Sequence, residues 1–299
     1  MITGVHFILS YACNLACDHC FLYCRPAAKG TMTLKQIRTV LEESQKIGTI
    51  REMYFEGGEP FLFYAVMLEG IRLARGLGFK AGIVTNGYWA TCVEDAQLWL
   101  RPLAELEISG LSVSDDELHY GAGQDSPAKC ALAAAKALGM SANAICKAKP
   151  VVQDSSAPGA GKGTPEISGG TKFRGRAVEK FAAGLPTRKC AELKKCPYEE
   201  LVDPKRVHVD SYGNVQICQG ISMGNCWKTP FSALVQGYDA QKHPICGPLV
   251  RGGPSRLCEE HGLELKDEYV DECHLCFAAR VALIDKFPEY LAPRQVYGL

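Results

Sequence analysis

VHFILSYACNLACDHC, residues 5–20, decides the reading of this chain. VHFIL (5–9) is a short apolar run and reads as a strand. It runs straight into a polar loop in which Cys13, Cys17 and Cys20 recur as C-x3-C-x2-C. In α/β folds the loops at the C-terminal ends of parallel strands carry the ligands, so a strand that delivers three thiols there opens a functional site.

The elements that follow repeat the plan. TLKQIRTVLEESQKIG (33–48) places Leu34, Ile37, Val40 and Leu41 at helical spacing, with Thr33 as N-cap and Gly48 as C-cap. MYFE (53–56) reads as a second strand, broken sharply by GGEP (57–60). Helices are expected over Tyr64–Leu77, over Glu94–Leu106 with an interruption at Pro102, and over Pro127–Leu138. Strands are expected over 79–87, 106–114 and 142–148, with a sixth near 150. This alternation implies parallel βαβ units, hence an α/β sheet or barrel. CNLACDHC, GGEP, TNG (85–87) and SVSDD (112–116) all fall at strand C-terminal ends. Residues 154–172 are rich in Gly, Ser and Pro and read as a mobile loop or lid. From about residue 187 the texture changes. RVHVDSYGNVQIC (206–218) alternates around Tyr212-Gly213-Asn214 and reads as a β-hairpin, and Phe277–Phe287 reads as a closing helix.

The 299 residues suit about two domains, or one barrel with an appendage. Lys+Arg 33 balances Asp+Glu 33, so no net charge draws the chain to a polyanion, and nucleic-acid partners are not expected. No apolar run reaches the roughly 18 residues of a membrane span. MITGVHFILS lacks the basic and long apolar regions of a signal peptide, which points to the cytoplasm. Fifteen cysteines are then the anomaly. In a reducing compartment, clustered thiols mean metal or redox chemistry before disulfides.

Three thiolates on one loop give a metal only three ligands, whereas a structural zinc site wants four. A [4Fe-4S] cluster held by three Cys leaves one iron open. A zinc site completed by Cys24 or His19, or unpaired thiols, are the other readings of these residues. Gly57 and Gly58 let backbone groups approach a small ligand, Glu59 adds a carboxylate, and Pro60 fixes the exit.

With both motifs in hand, the chain resembles the radical S-adenosylmethionine (SAM) superfamily. CNLACDHC resembles its CxxxCxφC signature, with His19 where an aromatic residue is usual, and GGEP resembles its second motif. The resemblance implies a partial (β/α)6 TIM-like barrel over 1–185. It implies that Cys13, Cys17 and Cys20 hold a [4Fe-4S] cluster whose open iron is chelated by SAM. It places the SAM contacts at His19, Gly57, Gly58, Glu59, Pro60, Thr85, Asn86, Ser112 and Ser114. Reductive cleavage of the sulfonium would give methionine and a 5′-deoxyadenosyl radical that abstracts hydrogen from a substrate C–H bond. Asp115, Asp116 and His119 are candidates for acid–base work, or for capping the next helix. A reductant such as flavodoxin or ferredoxin, and an anaerobic setting, follow from the same resemblance.

The tail resembles the SPASM and twitch auxiliary-cluster domains, a β-hairpin plus helix over 186–299. The resemblance favours the one-cluster form, with Cys196, Cys218, Cys273 and Cys276 as ligands of an auxiliary [4Fe-4S] cluster and Cys190 as the substitute for Cys196. Cys226, Cys246 and Cys258 could join Cys190 in a second cluster, and a zinc ribbon is the alternative for the whole tail. GRA (175–177) also occurs in the superfamily near the end of the barrel. GAGKGT (159–164) is not a phosphate loop, because Lys162 is followed by Gly, and residues 258–261 lack the HExxH order. The expected reaction is oxidation or crosslinking, on a ribosomal peptide or an aminocyclitol-like small molecule. The alternative of another class is a non-catalytic iron–sulfur or zinc protein for electron transfer or scaffolding.

Overall fold

VHFIL forms the centre of β1 (Gly4–Ser10) in the computed structural model, which describes residues 1–123, 125–153 and 166–299. The chain then runs through α1 (Leu34–Ile47), β2 (Glu52–Gly57), α2 (Tyr64–Gly76), β3 (Lys80–Thr85) and α3 (Val93–Glu105). It continues through β4 (Gly110–Ser114), the single turn α4 (Glu117–Tyr120), α5 (Pro127–Ala137) and β5 (Ala142–Ile145). β1 to β5 pair side by side in chain order, all parallel. Their alternation has two meanings. Val5, Phe7, Met53, Phe55, Ala81 and Ile83 are fully buried, and Phe55 lies under Gly70 of α2, where a Cβ would meet its ring at 2.8 Å. His6, Tyr54 and Glu56 occupy the opposite face and are only partly buried. A buried Phe or Leu contributes about 1.5–3 kcal/mol. The helix-facing rows therefore hold the sheet, and the polar rows are left to line a cavity.

Local signals fix the helix ends. Thr33 and Gln36 form a reciprocal capping box on α1, and Gly48 closes it at φ 73°. α3 runs through Pro102 without the expected interruption. Pro102 falls in the last turn, where it removes one helix hydrogen bond, to the carbonyl of Leu98, an exposed residue.

The sixth strand corrects the sequence reading. β6 (Val151–Gln153) pairs antiparallel with β7 (Glu166–Ser168) as a separate ribbon. After α6 (Arg176–Phe181) and the two-residue β8 (Arg188–Lys189), the sixth parallel strand is β9 (Arg206–Asp210), which joins the other side of β1. RVHVD carries the same alternation as VHFIL, so Val207 and Val209 continue the buried row and His208 comes level with His6. β10 (Asn214–Cys218) and β11 (Ile221–Asn225) follow antiparallel, giving the sheet order β11-β10-β9-β1-β2-β3-β4-β5. One sheet therefore crosses residue 185/186, where the sequence reading divides the chain. The tail is completed by α7 (Phe231–Gly237), α8 (Cys246–His261, kinked at Gly252–Gly253), β12 (Glu268–Tyr269), which pairs with β8, and α9 (Glu272–Leu283).

α9 starts earlier than the expected Phe277, because Asp271 caps it by accepting from the His274 N–H at 2.8 Å. Cys273 and Cys276 thereby sit in its first turns. Most of the expected lid (154–165), with GAGKGT, lies outside the described residues. Among the described residues no helix is long and apolar enough to cross a membrane.

Candidate active site

The loop after β1 is built to present sulfur. The Cys13 N–H donates to the Arg25 carbonyl at 3.2 Å, and the Cys20 N–H to the Cys17 carbonyl at 3.1 Å. The Cys13 sulfur accepts from the Leu15 N–H at 3.4 Å, and the Cys20 sulfur from the Cys24 N–H at 3.3 Å. Arg176, from the GRA stretch, clamps the loop from outside. Its guanidinium donates to the carbonyls of Cys17 (2.5 Å) and Cys24 (3.0 Å), and its N–H to that of Cys20 (3.0 Å). Gly175 allows this approach at φ 61°, where a Cβ would lie 2.5 Å from Phe21 Cα. Charge-assisted hydrogen bonds of this kind contribute about 1.5–3 kcal/mol each. In protein reconstituted with iron, Arg176→Gln is therefore expected to speed loss of iron to a chelator by about tenfold or more, with the fold unchanged by circular dichroism. An unchanged rate would show that the clamp does not hold the loop.

Cys13, Cys17 and Cys20 line one cavity of about 530 Å³ together with His19, Gly57, Gly58, Thr85, Asn86, Ser114 and His119. Burial pushes the Cys13 thiol up to about 11 and the Cys17 thiol up to about 12. The Cys24 thiol, donating to the Cys20 sulfur, holds Cys20 down at about 6. Such thiols surrender their protons on binding a metal, which is then part of the folded loop's energetics.

The GGEP turn is tight for a reason internal to the protein. The Gly58 N–H donates to the Ser10 carbonyl at 2.7 Å and the Glu59 N–H to the Ala12 carbonyl at 3.0 Å. A Cβ on Gly58 would stand 2.0 Å from the Ala12 oxygen, so only glycine lets this turn lie against the thiol loop.

Several expected contacts need correction. The Glu59 carboxylate turns away from the cavity, accepting from Thr85 Oγ1 (2.7 Å), the Asn86 N–H (2.8 Å) and the Phe61 N–H (3.0 Å). Burial raises it to about 7, and its role is to tie the GGEP turn to the end of β3. Pro60 is buried at the start of the 3-10 turn Pro60–Phe63 and does not reach the cavity. The Thr85 hydroxyl also accepts from the Gly87 N–H and Trp89 Nε1, so its hydrogen-bonding capacity is spent within the protein. Ser112 Oγ pairs with Asn143 Oδ1 at 3.0 Å and lies outside the cavity. Asp115 does not line it either, and Asp116 caps α4, accepting from the N–H groups of Leu118, His119 and Lys147. His119 does face the cavity, with Nδ1 2.7 Å from Asp116 and its ring edge-on to His19 at 4.7 Å. Burial lowers His19 to about 4, so its ring stays neutral.

The polar row of the sheet supplies residues that the sequence reading missed. Glu56 lies between two imidazoles, 3.0 Å from His6 Nδ1 and 3.2 Å from His208 Nε2, and all three line the cavity with Gln219. Burial opposes its charge, but the two histidines hold the carboxyl below its usual range. The signal was present in VHF, MYFE and RVHVD, where every second residue of a buried strand is polar or titratable.

The C-terminal cysteines separate into groups. Cys196, Cys218, Cys273 and Cys276 surround one small cavity, which Arg174, Glu199 and Arg280 also line. Cys190 is elsewhere: its sulfur donates to the Lys266 carbonyl at 3.1 Å, and it packs with Cys258 beside Tyr269 and Leu275. The 3-10 turn at Cys190–Glu192 turns it that way, so it does not substitute for Cys196. Cys226 and Cys246 are buried and line neither cavity. Beside the four thiols lie two buried guanidiniums. Arg174 Nη1 donates to the Cys218 sulfur at 2.9 Å. Arg280, 2 % exposed, donates to the carbonyls of Gln219 (2.8 Å) and Cys276 (3.2 Å) and has no carboxylate partner among the described residues. Arg174 has only Glu199, at 3.6 Å and shared, and buried cations so weakly matched are costly unless another anion answers them. A thiolate-bound cluster supplies that charge, so the donor set fits one.

Residues 7–142 match the Radical SAM superfamily. The chain is 30% identical over 111 residues to YydG of Bacillus subtilis (strain 168), a protein named for peptide biosynthesis, covering 37% of this chain and 35% of that one. It is 32% identical over 117 residues to an S-adenosylmethionine-dependent nucleotide dehydratase of Thermoplasmatales archaeon (strain ISO4-H5), covering 38% of this chain and 39% of that one. The chain thus spans roughly a third of the length of the curated relatives it matches. Among solved structures, BtrN in complex with AdoMet and 2-DOIA superposes with a TM-score of 0.50 at 18% identity, over 78% of this chain and 82% of that one. That likeness is one of fold.

Proposed function

We propose, from the match of residues 7–142 to the Radical SAM superfamily, that the cavity is the active site of an enzyme that cleaves SAM reductively and oxidises or crosslinks a substrate. The observation that carries this reading is that the Cx3Cx2C thiols and the Gly57–Gly58 edge face one cavity. Cys13, Cys17 and Cys20 are the proposed holders of a [4Fe-4S] cluster, with one iron left for SAM. A cluster held there would supply low-potential one-electron reduction of the sulfonium, and with it radical hydrogen abstraction from the substrate. The protein's part is placement. The Gly57–Gly58 backbone, Asn86, Ser114 and the neutral His19 ring stand round the thiol loop to seat SAM. His6, Glu56, His208 and Gln219 wall the rest of the cavity, where the substrate would lie.

In the same reading, β1 to β5 with β9 form the barrel's sheet, and the rest of 186–299 is an auxiliary unit whose strands β10 and β11 continue that sheet. Cys196, Cys218, Cys273 and Cys276 would hold an auxiliary [4Fe-4S] cluster, with Arg174 and Arg280 answering its charge. A reductant is required, and peptide or small-molecule substrates are both compatible with the relatives. The test is anaerobic reconstitution followed by SAM and dithionite. About eight irons per chain and 5′-deoxyadenosine are expected. Metal binding without 5′-deoxyadenosine would leave a non-catalytic iron–sulfur or zinc protein.

A further inference from the structure

One wall of the cavity carries more positive charge than its single carboxylate matches. Lys172, Arg174 and Arg206 all line it, and all three surround a single carboxylate, Glu199. Their nitrogens stand 3.8, 3.6 and 3.6 Å from it, beyond hydrogen-bond length. The side chains of Glu199 and Arg174 are 8% and 5% exposed, while those of Lys172 and Arg206 are 29% and 49% exposed, so a desolvated pair at the centre is flanked by two cations that reach solvent. Glu199 Oε1 and Arg174 Nε are both buried without a hydrogen-bond partner. Among the described residues the Lys172 ammonium and the Arg206 guanidinium also donate no hydrogen bond, whereas Arg174 spends Nη1 on the Cys218 sulfur. Aromatic rings fix two of the cations from behind: Tyr198 under Lys172 at 4.4 Å and Phe21 under Arg174 at 5.2 Å.

With Arg174 answered by sulfur, Lys172 and Arg206 share Glu199, and the wall keeps an unmatched positive charge and a set of free donors. A carboxylate ligand would offer two oxygens and one negative charge. A phosphate group offers three oxygens and up to two charges, and its geometry suits a fork of guanidinium and ammonium donors. We propose that Lys172, Arg174 and Arg206 bind a phosphate group of the substrate, so that the enzyme acts on a phosphorylated small molecule held by this wall. The inference rests on the cavity being the active site. Because Arg174 also lines the auxiliary cysteine cavity, a phosphate anchored here holds the substrate between the two thiol sets.

The experiment is calorimetric titration of the reconstituted enzyme with inorganic phosphate in low-salt buffer, without SAM or reductant. It reads binding alone and stands whether or not SAM is cleaved. Saturable binding is expected, weakened about tenfold or more by Lys172→Gln and by Arg206→Gln. Glu199→Gln should move it the other way, tightening phosphate several-fold, because the competing carboxylate is gone. Opposite signs from neighbouring substitutions separate a specific site from damage to the fold, and thermal transitions of the three variants check that they are folded. Absence of binding, or equal affinity in all variants, overturns the proposal. Acetate competing as well as phosphate at equal concentration would overturn the phosphate assignment.

Discussion

Cys17→Ala is expected to abolish 5′-deoxyadenosine formation, by about three orders of magnitude or more, and to lower bound iron from about eight to about four per chain. The size of the effect follows from the loop. Cys17 stands between two other thiols, lines the same cavity, and its carbonyl is gripped by Arg176. With two thiols left, the loop loses a corner of the cluster, and no side chain of the cavity can supply an electron in its place. Cys24 is the one thiol near enough to intervene, since it sits against Cys20 and lines the same cavity. Measuring Cys17→Ala together with the Cys17→Ala/Cys24→Ala pair removes that route. The four remaining irons should persist in both. Cleavage of SAM surviving in the pair, or stoichiometric zinc in the wild-type loop, would refute the enzymatic reading.

How far the sequence announces this arrangement depends on the range of the signal. Thr33 with Gln36 and Gly48 is a local signal, and α1 ends where those residues place it. The parallel order of β1 to β5 follows from alternating strands and helices at short spacing, and it forms as read. β9 is different. Nothing within 206–210 states that the strand crosses to the far side of β1, because partner choice there depends on contacts some 200 residues apart in sequence. The same distance hides the cavity wall. His6, Glu56 and His208 read as single polar residues on separate strands until pairing brings them level. Glu59 shows the opposite error. A carboxylate beside two glycines suggests a ligand contact, yet three donors from the Thr85–Asn86 and Phe61 backbone and side chains claim it first. Motif spacing places the backbone near the ligand; hydrogen-bond competition decides which side chain remains free to meet it.

Cys273→Ala is the second substitution with a large expected effect, and its signature is reversed. SAM cleavage should continue, because Cys13, Cys17 and Cys20 belong to the other cavity. About four irons should be lost, this time from the tail, and turnover of substrate should fall while 5′-deoxyadenosine still forms. Stability should fall as well, for an electrostatic reason. Arg174 and Arg280 are 4% and 2% exposed, and the sulfur set is the anion nearest to both. Among the described residues Arg280 has no carboxylate partner and Arg174 has only the distant, shared Glu199. Removing the anion that answers a buried cation costs about 3–5 kcal/mol. For a chain of this size that lowers the thermal midpoint by about 10 °C. The cavity left by one sulfur is a smaller effect, since Cys to Ala removes a single heavy atom. Arg280→Met in the Cys273→Ala background separates the two: it removes the unanswered charge and should recover part of the lost stability. Recovery would identify charge as the cause. A midpoint that stays put in Cys273→Ala, with iron still near eight, would show that these four cysteines hold no cluster.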